Sequence, residues 1–136
     1  MSRLQLALNV KDIDAAVDFY SKLFNATPVK VRTGYANFAI AEPPLKLVLI
    51  ENAMAQGQLN HLGIEVESSE QVSEASDRLK QTGLSVGSEN QTTCCYALQD
   101  KFWVHGPDGA AWEIYTVLED SAAFGETRTN AQACCA

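Results

Sequence analysis

The sequence is poor in basic residues and has no long apolar run. Lys and Arg number 10 against 17 Asp and Glu, which gives a net charge of −7. Nucleic acids and anionic membrane surfaces carry negative charge, so an acidic chain is a poor partner for either. The longest apolar stretches, such as LKLVLI at 45–50, are too short to span a bilayer. We therefore expect no nucleic-acid partner and no membrane segment.

The sequence also lacks a secretory signal. MSRLQLALNVKD at 1–12 has neither the apolar segment nor the small-residue cleavage site of one. We place the protein in the cytoplasm, where cysteines are expected to be reduced. The four cysteines form two adjacent pairs, Cys94/Cys95 and Cys134/Cys135. Neighbouring cysteines close only a small strained ring on oxidation, so a stabilising disulfide framework is not expected.

The order of predicted elements occurs twice along the 136 residues. Predicted helices cover 11–24, with Asp12 as N-cap and Asn25 just past the end, and 69–83, with a serine cap. Predicted strands cover 4–10, 27–33, 35–41, 45–51, 60–67, 85–90, 94–106 and 110–118. This is a β-α-β-β-β unit followed by a second one, and such a repeat sets the architecture of a fold.

The repeat defines the domain organisation. An offset of 56 positions places Gln5 on His61 and Val10 on Val66. We predict one domain at 1–120, with one module at about 3–52 and the other at about 58–118. Residues 121–136 lose periodicity and are predicted to be a flexible C-terminal tail.

The paired modules, together with GPDGAAWEIY at 106–115, resemble the vicinal oxygen chelate superfamily. That superfamily includes glyoxalase I, extradiol dioxygenases and fosfomycin-resistance proteins. The resemblance implies an α+β fold in which two βαβββ modules form one open, barrel-like curved sheet around a divalent metal. Metal ligands in this superfamily typically come from the first and last strands of the modules.

Carried over position by position, the resemblance assigns three metal ligands. Gln5 and His61 occupy the first-strand positions of the two modules, and Glu113 occupies the last-strand position of the second. The matching position of the first module is about Leu47, which cannot bind a metal. Three protein ligands leave coordination positions for a substrate, as catalysis requires. Outside this frame, His61 would be interpreted as a surface or capped histidine.

The ligand types bear on the metal. An imidazole, a carboxylate and an amide resemble the 2-His-1-carboxylate triad of non-haem Fe(II) oxygenases with one His replaced by Gln5. Fe(II) is expected, and Mn²⁺, Ni²⁺ and Zn²⁺ stay open because Gln5 departs from the commoner His. Glu113 stands among apolar neighbours, where an unpaired carboxylate would be costly, so we expect a metal to compensate it. His105, in WVHGPDG, is expected to be structural or exposed.

Cys94 and Cys95, in TTCCYAL, lie within the module that supplies His61 and Glu113. Successive side chains of a strand point to opposite faces, so the chain must bend for both thiols to reach one target. Two small buried hydrophobic residues are the alternative interpretation. Thiolates prefer soft elements, whereas the nitrogen–oxygen ligand set prefers a harder metal. The combination indicates a substrate that contains a thiophilic atom.

That combination resembles the ArsI-type carbon–arsenic lyases and the related CadI proteins. The matching stretches include LQLALNV, GYANFAIAEPPLKLVL, NHLGIEVE, TTCCYALQDKFWV and GPDGAAWEIYTVL. The resemblance implies a dioxygenase-like enzyme that uses Fe(II) and O₂ to cleave the C–As bond of trivalent organoarsenicals, such as methylarsonite and aromatic arsonites. Arsenite would be released and the compound detoxified. By the same resemblance, Cys94 and Cys95 bind the arsenic.

Several roles and alternatives stay open. Lys101, Tyr96 and Tyr115 are candidates for lining the substrate cavity, and Cys134 and Cys135 either capture thiophilic ions or are incidental. The competing functions are a non-catalytic cadmium- or arsenite-binding protein and a glyoxalase-like metalloenzyme. The sequence does not decide between a monomer and a homodimer.

Overall fold

Strands and helices alternate along residues 2–55, 57–94 and 96–121, which are the residues that the computed structural model describes. The strands are β1 (Arg3–Val10), β2 (Lys30–Arg32), β3 (Tyr35–Ile40), β4 (Leu45–Glu51), β5 (Leu59–Glu65), β6 (Gly87–Cys94), β7 (Ala97–His105) and β8 (Ala111–Asp120). The helices are α1 (Ile13–Phe24) and α2 (Ser69–Gln81), with a 3₁₀ turn at Ala53–Ala55. The predicted β-α-β-β-β order therefore occurs twice. The chain divides into two compact units, the first covering Arg3–Leu62 and the second beginning at Gly63.

The first unit contains a sheet with the strand order β2-β3-β4-β1. β2–β3 and β3–β4 are antiparallel, whereas β1 and β4 are parallel, with Leu6 beside Leu47. Leu6 and Leu47 belong to the core that packs against Val17 and Tyr20 of α1. Because side chains alternate along a strand, Gln5 lies on the opposite face of β1.

The packing of Leu47 corrects one prediction. Leu47 was expected to occupy the position in the first module that matches Glu113. It lies instead in the core against α1, whereas Glu113 lies on the face of its own sheet that points away from α2. Because side chains alternate along a strand, the neighbours Lys46 and Val48 point to the other face of β4. The position that matches Glu113 is therefore shifted by one residue from Leu47.

The second unit pairs β6, β7 and β8 in antiparallel fashion. Val72 of α2 packs against Phe102 of β7 and Ile114 of β8. Lys101 and Glu113, which alternate with these two apolar residues, therefore lie on the face away from α2. This alternation separates an apolar core on one side of the sheet from a row of polar side chains on the other.

Both helices begin and end at capping residues. The Asp12 carboxylate accepts hydrogen bonds from the backbone N–H groups of Asp14 and Ala15, at 3.0 and 3.2 Å, and Asn25 ends α1 with a left-handed φ of 49°. Ser68 caps α2, which ends at Gln81, and Gly83, the predicted stop, follows with a left-handed φ of 89°. Neither described helix is long and apolar enough to cross a membrane.

Candidate functional site

Gln5 and His61 are in direct contact inside the first unit. Gln5 Nε2 lies 3.0 Å from His61 Nε2, and each residue is only 3% exposed. An amide nitrogen only donates, so the ring nitrogen Nε2 accepts in this contact. The structure thus brings together two of the three predicted metal ligands, which stand 56 residues apart.

Two asparagines that the sequence analysis missed continue this contact. His61 Nδ1 donates to Asn60 Oδ1 at 2.7 Å, and Asn60 Nδ2 donates to Asn9 Oδ1 at 2.9 Å. The backbone of Asn9 is held in turn, because its N–H donates to Gln58 O and its carbonyl accepts from Gly57 N, both at 2.9 Å. Asparagine is depleted in strands, so its presence within β1 and β5 was the available signal.

Glu113 is paired with a buried lysine. Lys101 Nζ donates to Glu113 Oε2 at 3.0 Å, and the two side chains are 0% and 4% exposed. An ammonium group therefore compensates this carboxylate in the structure, and the expectation of a metal at Glu113 stays a prediction. Lys101 Nζ also lies 5.6 Å from the ring centroid of Trp103, within the range of cation–π attraction.

We expect Lys101→Met to lower the free energy of unfolding by about 3–5 kcal/mol, because it leaves the Glu113 carboxylate buried without its cation. Denaturant unfolding followed by circular dichroism measures the change. Lys80→Met, at an exposed position of α2, is the control and should shift stability by less than about 0.5 kcal/mol. Adding Glu113→Leu to Lys101→Met should recover most of the loss, and a double variant as unstable as the single one would contradict the argument.

The remaining predicted residues differ in burial. Tyr115 is fully buried, and its hydroxyl donates to Glu65 Oε2 at 3.1 Å within the second unit. Tyr96 is half-buried. His105 ends β7 and is exposed, as expected. That Lys101, Tyr96 and Tyr115 line a substrate cavity stays a prediction.

Cys94 is buried, 1% exposed, and its sulfur forms a disulfide bond. The described residues contain no free cysteine, and Cys95, Cys134 and Cys135 all lie outside those residues. Cys94 is thus oxidised in this structure, and the reduced state expected of the cysteines in a cytoplasm stays a prediction. The fold only has to bring two sulfurs within bonding distance, whereas the compartment decides whether they are oxidised.

The chain turns directly after Cys94. Cys94 pairs with Ala97 across β6 and β7, which leaves two residues for the hairpin. Tyr96 has a φ of 61°, a left-handed conformation that residues other than glycine rarely adopt. The expected bend is thus present, but the prediction that one strand covers 94–106 is wrong, because Cys94 ends β6 and Ala97 begins β7.

Gln99 holds this turn from the neighbouring strand. Its Nε2 donates to the backbone carbonyl of Cys94 at 2.9 Å, and the residue is 4% exposed. Its Oε1 is buried and has no hydrogen-bond partner among the described residues. A buried acceptor left unpaired costs about 1–3 kcal/mol, so this oxygen is an unsatisfied polar atom on the residue that holds the Cys94 carbonyl.

No three His, Cys, Asp or Glu side chains come together as a metal-holding group in the part of the chain that the structure describes. A ligand set of Gln5, His61 and Glu113 would not form such a group, because only His61 and Glu113 are among these four residue types. The ligand assignment therefore stays a prediction, supported within the first unit by the contact between Gln5 and His61.

Residues 3–114 match the family described as the Glyoxalase/Bleomycin resistance protein/Dioxygenase superfamily. The chain belongs to this superfamily. A solved member of the glyoxalase superfamily, a Mn(II)-bound glyoxalase from Novosphingobium aromaticivorans, has a TM-score of 0.61 and 20% identity to the chain, over 94% of this chain and 44% of that one. At that identity the likeness shows the fold alone, and it confirms the predicted α+β fold.

Two relatives are far more similar in sequence. The chain is 62% identical to the "Cadmium-induced protein CadI" of Mycobacterium tuberculosis over 125 residues, which cover 92% of this chain and 82% of the relative. It is 57% identical to the "Trivalent organoarsenical cleaving enzyme" of Thermomonospora curvata over 136 residues, which cover 99% and 89%. The predicted likeness to the CadI and organoarsenical-cleaving proteins is confirmed.

Proposed function

We propose that this protein is an Fe(II)-dependent enzyme that cleaves the C–As bond of trivalent organoarsenicals with O₂, which oxidises the carbon while arsenic leaves as arsenite. The observation that carries the proposal is the 57% identity to the Thermomonospora curvata enzyme over 99% of this chain. The adjacent cysteines Cys94 and Cys95 support it, because trivalent arsenic forms bonds with two thiolates. A cytoplasmic location would supply the reducing conditions that the thiol forms need.

Gln5, His61 and Glu113 are the proposed ligands of a divalent metal, and their amide, imidazole and carboxylate groups are donor types that such a metal accepts. His61 Nε2 acts as an acceptor in the structure, which is the form in which an imidazole binds a metal. Rotation of the Gln5 amide would present its oxygen in place of its nitrogen, and Glu113 supplies the anionic ligand. When bound there, Fe(II) would supply the activation of O₂, and Mn²⁺, Ni²⁺ or Zn²⁺ suit the same donors.

The proposed role of Cys94 and Cys95 follows from the valence of arsenic. Each thiol would replace one hydroxyl of a trivalent arsenical: an S–As bond forms, an As–O bond breaks, and the thiol proton leaves with the hydroxyl as water. The second exchange is intramolecular, which raises its effective concentration. Gln99 Oε1, beside Cys94, would accept a hydrogen bond from the hydroxyl that is still present after the first exchange. The As–C bond is then the remaining bond to be cleaved.

The proposal is tested by supplying the reduced protein with Fe(II) under anaerobic conditions, then with methylarsonite and O₂. Arsenic speciation by chromatography should show arsenite only when Fe(II) and O₂ are both present. Omission of each component in turn is the control. Full recovery of methylarsonite from reduced, iron-loaded protein in the presence of O₂ would show that the chain is not this enzyme.

Gln5→His is expected to retain metal binding and turnover to within about tenfold, because imidazole is a competent ligand for the same metals. Gln5→Leu, the paired variant of similar length, should weaken Fe(II) binding by more than about tenfold. Anaerobic Fe(II) titration compares the two variants with the natural protein. Equal affinities for Gln5→Leu and the natural protein would remove Gln5 from the ligand set.

A non-catalytic cadmium- or arsenite-binding protein is the second candidate, favoured by the 62% identity to a relative named for induction by cadmium. Both candidates use the cysteine pair, but only the enzyme needs the metal ligands. His61→Ala should therefore leave cadmium or arsenite binding intact in a binding protein and remove turnover in an enzyme. A glyoxalase-like reaction is a weaker candidate, because it gives Cys94 and Cys95 no role.

A further inference from the structure

Side chains from β1 and β5 form a chain of hydrogen bonds that leads to the His61 ring. Asn9 Oδ1 accepts from Asn60 Nδ2, Asn60 Oδ1 accepts from His61 Nδ1, and His61 Nε2 accepts from Gln5 Nε2, at 2.9, 2.7 and 3.0 Å. We call these four residues the amide relay. All four lie in the first unit, and three of them, Gln5, Asn9 and His61, are buried.

The amide relay assigns a hydrogen to one nitrogen of the ring. Asn60 Oδ1 has no hydrogen to donate, so His61 Nδ1 must carry one. The neutral ring then has a lone pair at Nε2, which matches its acceptance of a hydrogen bond from Gln5. Turning over all three amides together would give the opposite tautomer. The amide orientations in this structure correspond to the Nδ1–H tautomer of His61.

We propose that Asn60 is a positioning residue that holds His61 in the Nδ1–H tautomer, with the Nε2 lone pair directed toward Gln5. The expected effect of Asn60 on metal binding rests on the proposed function, because Gln5 and His61 are the metal ligands proposed there. Asn60 itself touches neither substrate nor metal in this assignment. It acts through the ring, as the hydrogen-bond partners of metal-binding histidines commonly do.

Asn9 gives the relay its fixed end. Its backbone N–H and carbonyl are both bonded to the turn that precedes β5, through Gln58 O and Gly57 N. These two hydrogen bonds hold the backbone of Asn9 in place, and the residue is 5% exposed. Asn60 Nδ2 donates to Asn9 Oδ1, which leaves Asn60 Oδ1 facing the ring. A single rotation of the Asn60 amide would break both of its hydrogen bonds.

The two histidines of the chain make the tautomer directly measurable. Long-range ¹H–¹⁵N correlation spectra of metal-free protein distinguish the Nδ1–H form of a neutral histidine from the Nε2–H form. The exposed His105 is an internal reference in the same spectrum. We expect His61 to be the Nδ1–H form in the natural protein. An Nε2–H ring at His61 would overturn the proposal without any variant being made.

Variants then assign the effect to Asn60. Asn60→Leu should abolish the preference for Nδ1–H and weaken anaerobic Fe(II) binding by about 10–100-fold. Asn60→Asp keeps an acceptor for His61 Nδ1–H, so it should retain both the Nδ1–H preference and the Fe(II) affinity. The Asn9 amide would turn so that its Nδ2 donates to the new carboxylate. Asn90→Leu, at an exposed position of β6, should change neither. An unchanged tautomer in Asn60→Leu would show that Asn60 is not needed.

The two measurements separate this inference from the proposed function. A tautomer that responds to Asn60→Leu and Asn60→Asp as expected, in a protein that binds no Fe(II), would support the positioning role and overturn the proposed metal site. Should Asn60→Leu fail to fold, Asn60→Asp and the natural protein still decide the matter. If Asn60→Asp lost the Nδ1–H preference, the relay would not control the ring.

Discussion

Cys94→Ser is expected to abolish organoarsenical cleavage in the reduced protein while Fe(II) binding stays unchanged. Serine cannot form the S–As bond, so the arsenical would be held by one thiolate instead of two. Loss of the second, intramolecular S–As bond lowers the affinity for the arsenical by about 10²–10⁴-fold, far more than a twofold loss. Arsenite titration with counting of free thiols measures the binding, and anaerobic Fe(II) titration measures the metal site. Cys95→Ser should have the same effect.

The matched control makes the same Cys→Ser exchange at the other adjacent cysteine pair. Cys134→Ser/Cys135→Ser alters the other adjacent pair, which lies outside the described residues, and is expected to leave cleavage unchanged. Loss of cleavage in this control would move the arsenic-binding role to the tail. Cys94→Ser that cleaved methylarsonite at the natural rate would end the chelation proposal.

Glu113→Gln should abolish cleavage and weaken Fe(II) binding by more than about 100-fold. Loss of an outer hydrogen-bond partner of a metal ligand alone costs about 10–100-fold, and Glu113 is the only anionic member of the proposed ligand set. Glutamine keeps the shape and still accepts a hydrogen bond from Lys101, so the variant is gentler on the fold than alanine. Anaerobic Fe(II) titration and arsenic speciation are the two readouts.

Glu119→Gln is the control for charge. Glu119 lies on the same strand, β8, and is exposed, so the same charge is removed away from the buried face. It should change neither readout. If Glu113→Gln bound Fe(II) as tightly as the natural protein, the carboxylate would serve only as the partner of Lys101.

The fold was predictable where local signals agree with tertiary packing. The N-cap Asp12 and the C-terminal end of α1 at Phe24 were predicted correctly, although the predicted range began two residues before Ile13. β6 was predicted too short because GSENQTTC is polar and carries no strand pattern. Its pairing with β7, and the hydrogen bond from Gln91 N to Asp100 Oδ1 at 2.7 Å, make it a strand despite that composition.

The site was predictable where the repeat supplied a register. The offset between the modules related Gln5 to His61, and the two side chains are indeed in contact. The partner of Glu113 was not predictable, because Lys101 reaches it from the neighbouring strand of a hairpin whose register the sequence leaves open. Asn9 and Asn60 were missed for the same reason, since their contact joins residues 51 positions apart.

The disulfide at Cys94 makes the proposed chemistry conditional on a supply of electrons. Reduction of a disulfide is a two-electron step, and it must precede any bond between Cys94 sulfur and arsenic. A cell could therefore contain the protein at full concentration and still lack its arsenic-binding form. Trivalent arsenicals also combine with small-molecule thiols, the same compounds that would reduce the protein. Free arsenical and oxidised protein would then draw on the same thiols, the first as ligands and the second as reductants.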